Sequence, residues 1–341
     1  MQMIYILVGF FLFSVGITYL LRTYAITNSV IDIPNARSSH SVPTPRGGGV
    51  SVVLVFLAVI TANYFLGKFS LYFSSLLFMA GFAVALVGFL DDHGHVNARW
   101  RILVHFSGAG LVVFACGGLP PLVLLGFEFN LGLFGDAIAV IGIVWILNLF
   151  NFMDGIDGIA GVEALSASAV MGALIFVGFN SESIADLHWY LAASVAGFLV
   201  WNYPPAKIFM GDAGSGFLGL MLGAMALLSS QVDQSLLWAW LVMLGVFNVD
   251  ATVTLIRRVL RGETFFEAHR SHGYQYASRI HGSHRKVTNA VGLINLIWLA
   301  PIASLIAFGF IDGFLGLLIA YLPLFLLAIK YKSGASHLQG V

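Results

Sequence analysis

The sequence predicts an all-α, polytopic membrane protein built as one domain over residues 1–341. Three observations lead there. The chain is 59% hydrophobic and only 9% charged, where a soluble domain carries about 25% charged residues. Apolar runs of about 20 residues, each enough to cross a hydrocarbon core, recur along the whole length. These runs are continuous and do not alternate, which excludes the β-barrel as the other spanning architecture. Zero net charge removes any bulk argument for nucleic acid. The single cysteine, Cys116, excludes a disulfide framework within the chain.

The first run, "MQMIYILVGFFLFSVGITYLL", lacks a basic start and a small-residue cleavage site. It is read as a retained helix over 2–21 and not as a signal peptide. Further spans are predicted at 48–67, 71–90, 102–118, 133–152, 160–179, 187–203, 214–230, 235–256, 289–310 and 314–330. They make about 10–11 transmembrane helices. The stretch "NYPPAK" breaks the chain between the seventh and eighth. With this threading, fifteen of the sixteen Lys and Arg residues fall on one face and only Lys68 falls on the other. The positive-inside rule makes the basic face cytoplasmic, the N-terminus periplasmic and the C-terminus cytoplasmic.

Three acidic motifs land at the basic face. "GFLDDHGHVNARWR" places Asp91 and Asp92 at the end of the third span, with Arg99 and Arg101 just beyond. "NLFNFMDGIDGIAG" places Asn148, Asn151, Asp154 and Asp157 at the end of the fifth. "KIFMGDAGSG" places Asp212 before the eighth. A carboxylate at mid-bilayer costs roughly 2.5–3.5 kcal/mol on insertion scales, and the interface avoids most of that. Adjacent like charges at Asp91 and Asp92 favour a metal or a basic partner, although a solvated helix end is the simpler reading. Asp154 and Asp157, three apart, would share one face of a helical turn, or cap a helix start. A calcium loop is excluded because no Glu closes it. "GDAGSG" reads equally as an N-cap or as a phosphate or Mg²⁺ site, and lacks a Walker lysine.

The last inner loop, "RRVLRGETFFEAHRSHGYQYASRIHGSHRK", is basic and rich in His. It could bind anionic lipid, hold zinc weakly through His269 and His272, or neutralise phosphate. The stretch "FEAHRSHGYQ" is too polar for a core position. Asp250 is expected to pair with Arg257 or Arg258, and His281 and His284 to matter less than His269 and His272. "TPRGGG" adds Arg46 at the start of the second span. Five carboxylates and a basic loop on one face suit a hard cation and a di- or triphosphate.

In "TPRGGG", "GFLDD", "NLFNFMDGIDGIAG", "FLVWNYPPAKIFMGDAGSGFLG", "DATVTLIRR" and "HRSH", taken in that order, the chain resembles the polyprenyl-phosphate N-acetylhexosamine-1-phosphate transferases of bacterial membranes. The likeness covers most of the chain and implies a single membrane-embedded catalytic domain in the inner membrane, with its active site cytoplasmic. The implied substrates are undecaprenyl phosphate and a UDP-N-acetylhexosamine, with Mg²⁺ as cofactor and Mn²⁺ as its substitute. Membrane lipid is the surrounding partner, a homodimer is a candidate assembly, and nucleic acid is not a partner. By resemblance Asp212 is a metal ligand, Asp91 and Asp92 lie beside the reacting phosphates, and Asp154 and Asp157 shape the nucleotide side. Asn202 and Phe209 lie near the uracil, and His269, Arg270 and His272 face the donor pyrophosphate. Arg46, Arg99, Arg101, Asn148 and Asn151 complete the substrate-binding set. Two departures bear on sugar specificity. His269-Arg270-Ser271-His272 replaces the family's His-x-His-His run, and Arg99 or Arg101 stands for the usual lysine. "HRSHGYQ" is closer to the O-antigen-initiating branch than to the muramoyl-pentapeptide branch. The rival class is a secondary transporter of an anionic substrate, which would put its ionisable groups near the bilayer midplane in paired halves.

Overall fold

A computed structural model describes residues 2–34, 39–94, 96–263 and 270–335. The helices are α1 (Gln2–Thr27), α2 (Val50–Phe65), α3 (Leu71–His93), α4 (Ala98–Cys116), α5 (Gly132–Met153), α6 (Ile159–Phe179) and α7 (Glu182–Asn202). They continue as α8 (Asp212–Ser230), α9 (Ser235–Met243), α10 (Gly245–Leu260), α11 (Gly273–His281), α12 (His284–Ile294), α13 (Ala300–Ala307) and α14 (Gly313–Lys330). A π-helical turn over Asn295–Leu299 joins α12 to α13. Two small antiparallel pairs complete the chain: β1 (Ile31–Asp32) with β2 (Thr44–Pro45), and β3 (Leu122–Leu124) with β4 (Phe127–Phe129).

Local chemistry sets many of the ends. Ser70 accepts from the Phe73 amide at the start of α3, and Asp312 accepts from Phe314 and Leu315 at the start of α14. Gly117 at φ 83° closes α4 in the left-handed region that glycine reaches without strain.

Among the described residues nine helices are long and apolar enough to cross a membrane, and the chain is a multi-pass membrane protein. Each predicted span meets a helix, with three differences. The second is α2, only 16 residues long. The ninth is not one helix: α9 and α10 meet at Leu244 with a 68° bend. The tenth starts earlier, at His284, and runs through the π turn to Ala307.

The bundle is organised around α8. Its most apolar stretch is 94% buried inside the protein, against 11% for α1. Small residues make this possible. A β-carbon at Gly219 would stand 2.8 Å from the Ile146 carbonyl oxygen, so α5 and α8 touch backbone to backbone. Several polar groups inside the bundle are joined to one another. Ser14 donates to the Ser194 carbonyl at 2.6 Å, tying α1 to α7. His188, Ser229 and Trp240 form a closed network between α7, α8 and α9.

Side-chain contacts gather the basic helix ends on one side. Arg22 reaches the Lys207 carbonyl, Arg46 reaches Asp92, Arg101 reaches Asp91 and Arg285 reaches the Pro204 carbonyl. Lys68, the exception in the charge pattern, pairs with Asp186 at 2.6 Å.

Candidate active site

The site forms where α3, α5 and α8 end on the basic side. Asp92 closes α3, and its carboxylate accepts from the amides of Asp212 at 2.9 Å and Ala213 at 3.2 Å. These are orphan amides of the α8 start, so a residue 120 positions away caps that helix. Arg46 donates to the same carboxylate at 2.6 Å. The approach is close because Gly88, one turn earlier, lacks a side chain. A β-carbon there would stand 2.6 Å from the Asp212 carbonyl. Gly211, at φ 80°, turns the chain into α8 with no room for a side chain beside Asp92. Arg46 is held by a backbone ladder: Gly48 and Gly49 donate to the carbonyls of Phe209 and Met210, and Phe209 donates to Pro45.

From α5, the Asn151 amide donates to Asp212 at 3.0 Å and to the Ser215 hydroxyl at 3.3 Å. Asp154 ends the helix, and residues 155–158 turn into α6. Asp157 therefore leaves Asp154 through a turn and not along a helical face. It accepts from the Ala206 amide at 3.0 Å and pairs with His284 at 3.1 Å. Asn202 is buried and ties Gly158 to the Ile208 carbonyl, fixing the loop that follows α7.

These elements enclose a polar cavity of about 200 Å³ whose wall includes Arg46, Asn151, Asp154, Asp157, Asp212 and Ser215. Asn202, Phe209 and His284 also line it. A wider vestibule of about 610 Å³ shares His40, Asp157, Phe209 and His284 with it.

The charges are uneven. Burial, reinforced by the negative neighbours Asp212, Asp92 and Asp157, pushes the Asp154 carboxyl well above the usual carboxylate range. Asp157 goes the other way. Burial would raise it, but hydrogen bonds from His284 and the Ala206 amide outweigh that and hold it low. Burial would lower the Arg46 guanidinium, yet Asp92 and Asp212 keep it above its ordinary value.

No three His, Cys, Asp or Glu side chains among the described residues form a ready metal cage. Asp154 and Asp212, with the Asn151 and Ser215 oxygens beside them, nonetheless fit Mg²⁺. That ion is held by one or two carboxylates plus substrate phosphates and water. A hard cation here would also relieve the like charge around Asp154.

Several expected site residues lie elsewhere. Asp91 is bound to Arg101 and the Val96 amide, and neither Asp91 nor Asp92 lines the cavity. Each acid has its own arginine, which resolves the repulsion expected of neighbours. Arg99 is exposed and lies outside the cavity wall. Asn148 donates to Val144 within its own helix. His269 lies outside the described residues, and Arg270 does not line the cavity.

His272 is buried, and so are Ser271, Gly273, Tyr274 and Gln275. Within the segment expected to be too polar for a core, residues 271–275 are therefore core. Two of the segment's amides are satisfied by Asp250, which accepts from Gly273 at 2.8 Å and Tyr274 at 2.9 Å. Asp250 is thus the cap of α11. Arg258 faces Glu263, and Arg257 donates to the Ser333 carbonyl.

Sequence reasoning missed His40, Asp32, Gln275 and His284 in the cavity wall. His284 had been ranked behind the two earlier histidines. No local signal in the sequence marks it.

An acid-rich cavity at the mouth of a polytopic helical bundle defines an integral membrane enzyme. The sequence model of glycosyl transferase family 4 matches residues 72–230 of the chain. That stretch holds Asp91, Asp92, Asp154, Asp157, Asn202 and Asp212. The chain is 28% identical over 287 residues to the probable undecaprenyl-phosphate N-acetylglucosaminyl 1-phosphate transferase of Bacillus subtilis, covering 83% of this chain and 79% of the relative. It is 29% identical over 311 residues to the undecaprenyl-phosphate alpha-N-acetylglucosaminyl 1-phosphate transferase of Yersinia pestis, covering 85% and 82%. Identity to the phospho-N-acetylmuramoyl-pentapeptide-transferase of Streptococcus pneumoniae is 28% over 269 residues, covering 74% and 79%.

Proposed function

We propose that the protein transfers an N-acetylhexosamine-1-phosphate from a UDP-sugar to undecaprenyl phosphate, releasing UMP. The reaction runs at the cytoplasmic face of a bacterial inner membrane and begins a surface polysaccharide such as O-antigen. The observation that carries the reading is the meeting of Asp154, Asp212 and Arg46 in one cavity at the basic ends of the helices. The names of the relatives supply the substrate class.

In this reading a phosphate oxygen of the acceptor attacks the sugar-bearing phosphorus of the donor, and the P–O bond to UMP breaks. A phosphate monoester has a second pKa near ~6, so the acceptor is already largely a dianion at neutral pH. No general base is required. Asp92 instead holds Arg46 and the start of α8, and Asp91 holds Arg101. Arg46 faces the cavity and offsets phosphate charge. Asp212 and Asp154 would hold Mg²⁺, or Mn²⁺ in its place, and the bound ion would supply positive charge to the transferring phosphoryl oxygens. Phe209, at the boundary of cavity and vestibule, offers an aromatic face to the uracil. An apolar groove of about 270 Å³ beside α11, lined by Val287, Val291, Leu324 and Leu327, suits an isoprenoid tail.

The transporter reading draws support from the broken α9–α10 pair. The cavity acids Asp154, Asp157 and Asp212, however, lie at helix ends and not at the break. Purified protein is given undecaprenyl phosphate, Mg²⁺ and a panel of UDP-sugars, and UMP release is measured beside label flux into vesicles. Release that needs the lipid and one UDP-N-acetylhexosamine is the expected result. Flux without UMP release would overturn it.

A further inference from the structure

Glu163 lies one turn into α6, just behind the loop that carries Asp154 and Asp157. It is fully buried, as is Asn295 at the first position of the π turn. The Asn295 amide nitrogen donates to Glu163 Oε2 at 2.7 Å and to the Ser166 hydroxyl at 2.8 Å. The Phe247 amide, in the first turn of α10 after the break, faces the same carboxyl. Two atoms are left over: Glu163 Oε1 and Asn295 Oδ1 are sealed from solvent with no hydrogen-bond partner among the described residues. Both are acceptors when the carboxyl is ionised, and a buried acceptor without a donor is costly.

Besides the Phe247 amide, the nearby side-chain donors among the described residues are already engaged. The Ser166 hydroxyl gives its hydrogen to the carbonyls of Val162 and Glu163. Asn248 donates to the Tyr321 hydroxyl, which donates to the Leu241 carbonyl. Tyr321 on α14 is the titratable group that faces Glu163, and among the described residues no Lys, Arg or His acts on it. The missing donor is a proton on the carboxyl itself.

We infer that Glu163 is a positioning residue of the transfer site that works in its protonated form, as the buried junction of α6, α10 and α12. With a proton, the carboxyl can donate through one oxygen while it accepts through the other. A single bond to Asn295 Oδ1 then removes both deficits. The three helices joined there each serve the site. The loop before α6 holds Asp154 and Asp157. The α12 helix brings His284 to Asp157, and Thr288 to the Asp157 carbonyl at 2.8 Å. The α10 helix carries Asp250, which caps α11. The π turn lies where Asn295 meets Glu163, in keeping with the association of such turns with functional places.

The inference takes the cavity as the reaction site described above, but its spectroscopic test does not depend on which reaction occurs there. Glu163→Gln supplies the donor and acceptor of a protonated acid without the charge. In the full-length protein, in lipid, this variant should keep kcat and KM within about threefold of wild type, whereas Glu163→Ala should lose about tenfold or more in kcat/KM. Wild-type activity should also show an alkaline decline that Glu163→Gln lacks. In infrared difference spectra at neutral pH, the carbonyl stretch of an un-ionised carboxyl should be present in wild type and lost in Glu163→Gln. A missing carboxyl band at neutral pH would overturn the inference. So would a Glu163→Gln variant as impaired as Glu163→Ala, or a sodium requirement abolished by Glu163→Gln, which would mark an ionised cation site. If neither protein transfers sugar phosphate to any acceptor, the infrared band still decides the protonation state.

Discussion

Asp250 offers a test of how the His-bearing segment is built. Its carboxylate is buried and accepts from two amides at the α11 start, Gly273 and Tyr274, and from the Thr254 hydroxyl at 3.3 Å. Hydrogen bonds to a charged group are worth about 1.5–3 kcal/mol each. Asp250→Asn keeps one acceptor but turns an NH₂ group toward the second amide. The expected loss is therefore about 2–4 kcal/mol, the result of losing one such bond and opposing two donors. At roughly 2–4 °C per kcal/mol, thermal unfolding should fall by roughly 5–15 °C. Activity should fall with it, because α11 places the Tyr274 hydroxyl on the Phe152 carbonyl at 3.0 Å and sets Gln275 in the cavity wall. The assay is thermal unfolding of purified protein in one detergent, with UMP release measured in parallel. An Asp250→Asn protein with wild-type thermal stability would refute the cap. If that protein were also inactive, Asp250 would belong with the substrate instead.

Two further outcomes follow from the geometry. Gly88→Ala should lower activity by about tenfold or more, since a displacement near 1 Å can cost about 100-fold. The new methyl would push the Asp212 backbone without touching the cavity, and an unchanged UMP-release rate would show that α3 and α8 have room to part. Asp157 gives a pH dependence. Its folded-state pKa is depressed, so its contribution is present above the ordinary carboxylate value of about 3.9 and lost as pH falls through the lower folded value. The stability gap between wild type and Asp157→Asn should close on acidification below that range, and a gap that widens instead would contradict the His284 pairing.

The spans and the acidic motifs were legible because both are local. A run of 20 apolar residues declares itself, and an Asp beside Gly at its end is conspicuous. The partnerships were not legible. Asp92 meets Asp212 across 120 positions, and His284 meets Asp157 across 127. Nothing local distinguishes the His284 that reaches Asp157 from the His281 that reaches the Tyr331 hydroxyl. Burial of "SHGYQ", residues 271–275, was hidden for a related reason. Polarity suggests solvent, but Asp250, contributed by a different helix, satisfies the Gly273 and Tyr274 amides from within. The bend at Leu244 was not legible either, since no proline marks it and the apolar run 236–247 continues through it.

The near-complete enclosure of α8 means that the helix beginning at Asp212 has almost no contact with hydrocarbon. Its neighbours meet the lipid in its place. Stretching or thinning the bilayer acts first on outer staves such as α1, which can tilt at modest cost. The start of α8 is anchored by side chains of α3 and α5 and not by the water–lipid boundary. Acid spacing in the cavity is thereby mechanically insulated from the surrounding lipid, much as a shaft turns true inside a flexing hull. An enzyme built this way can keep its phosphate-handling geometry while the membrane around it changes composition.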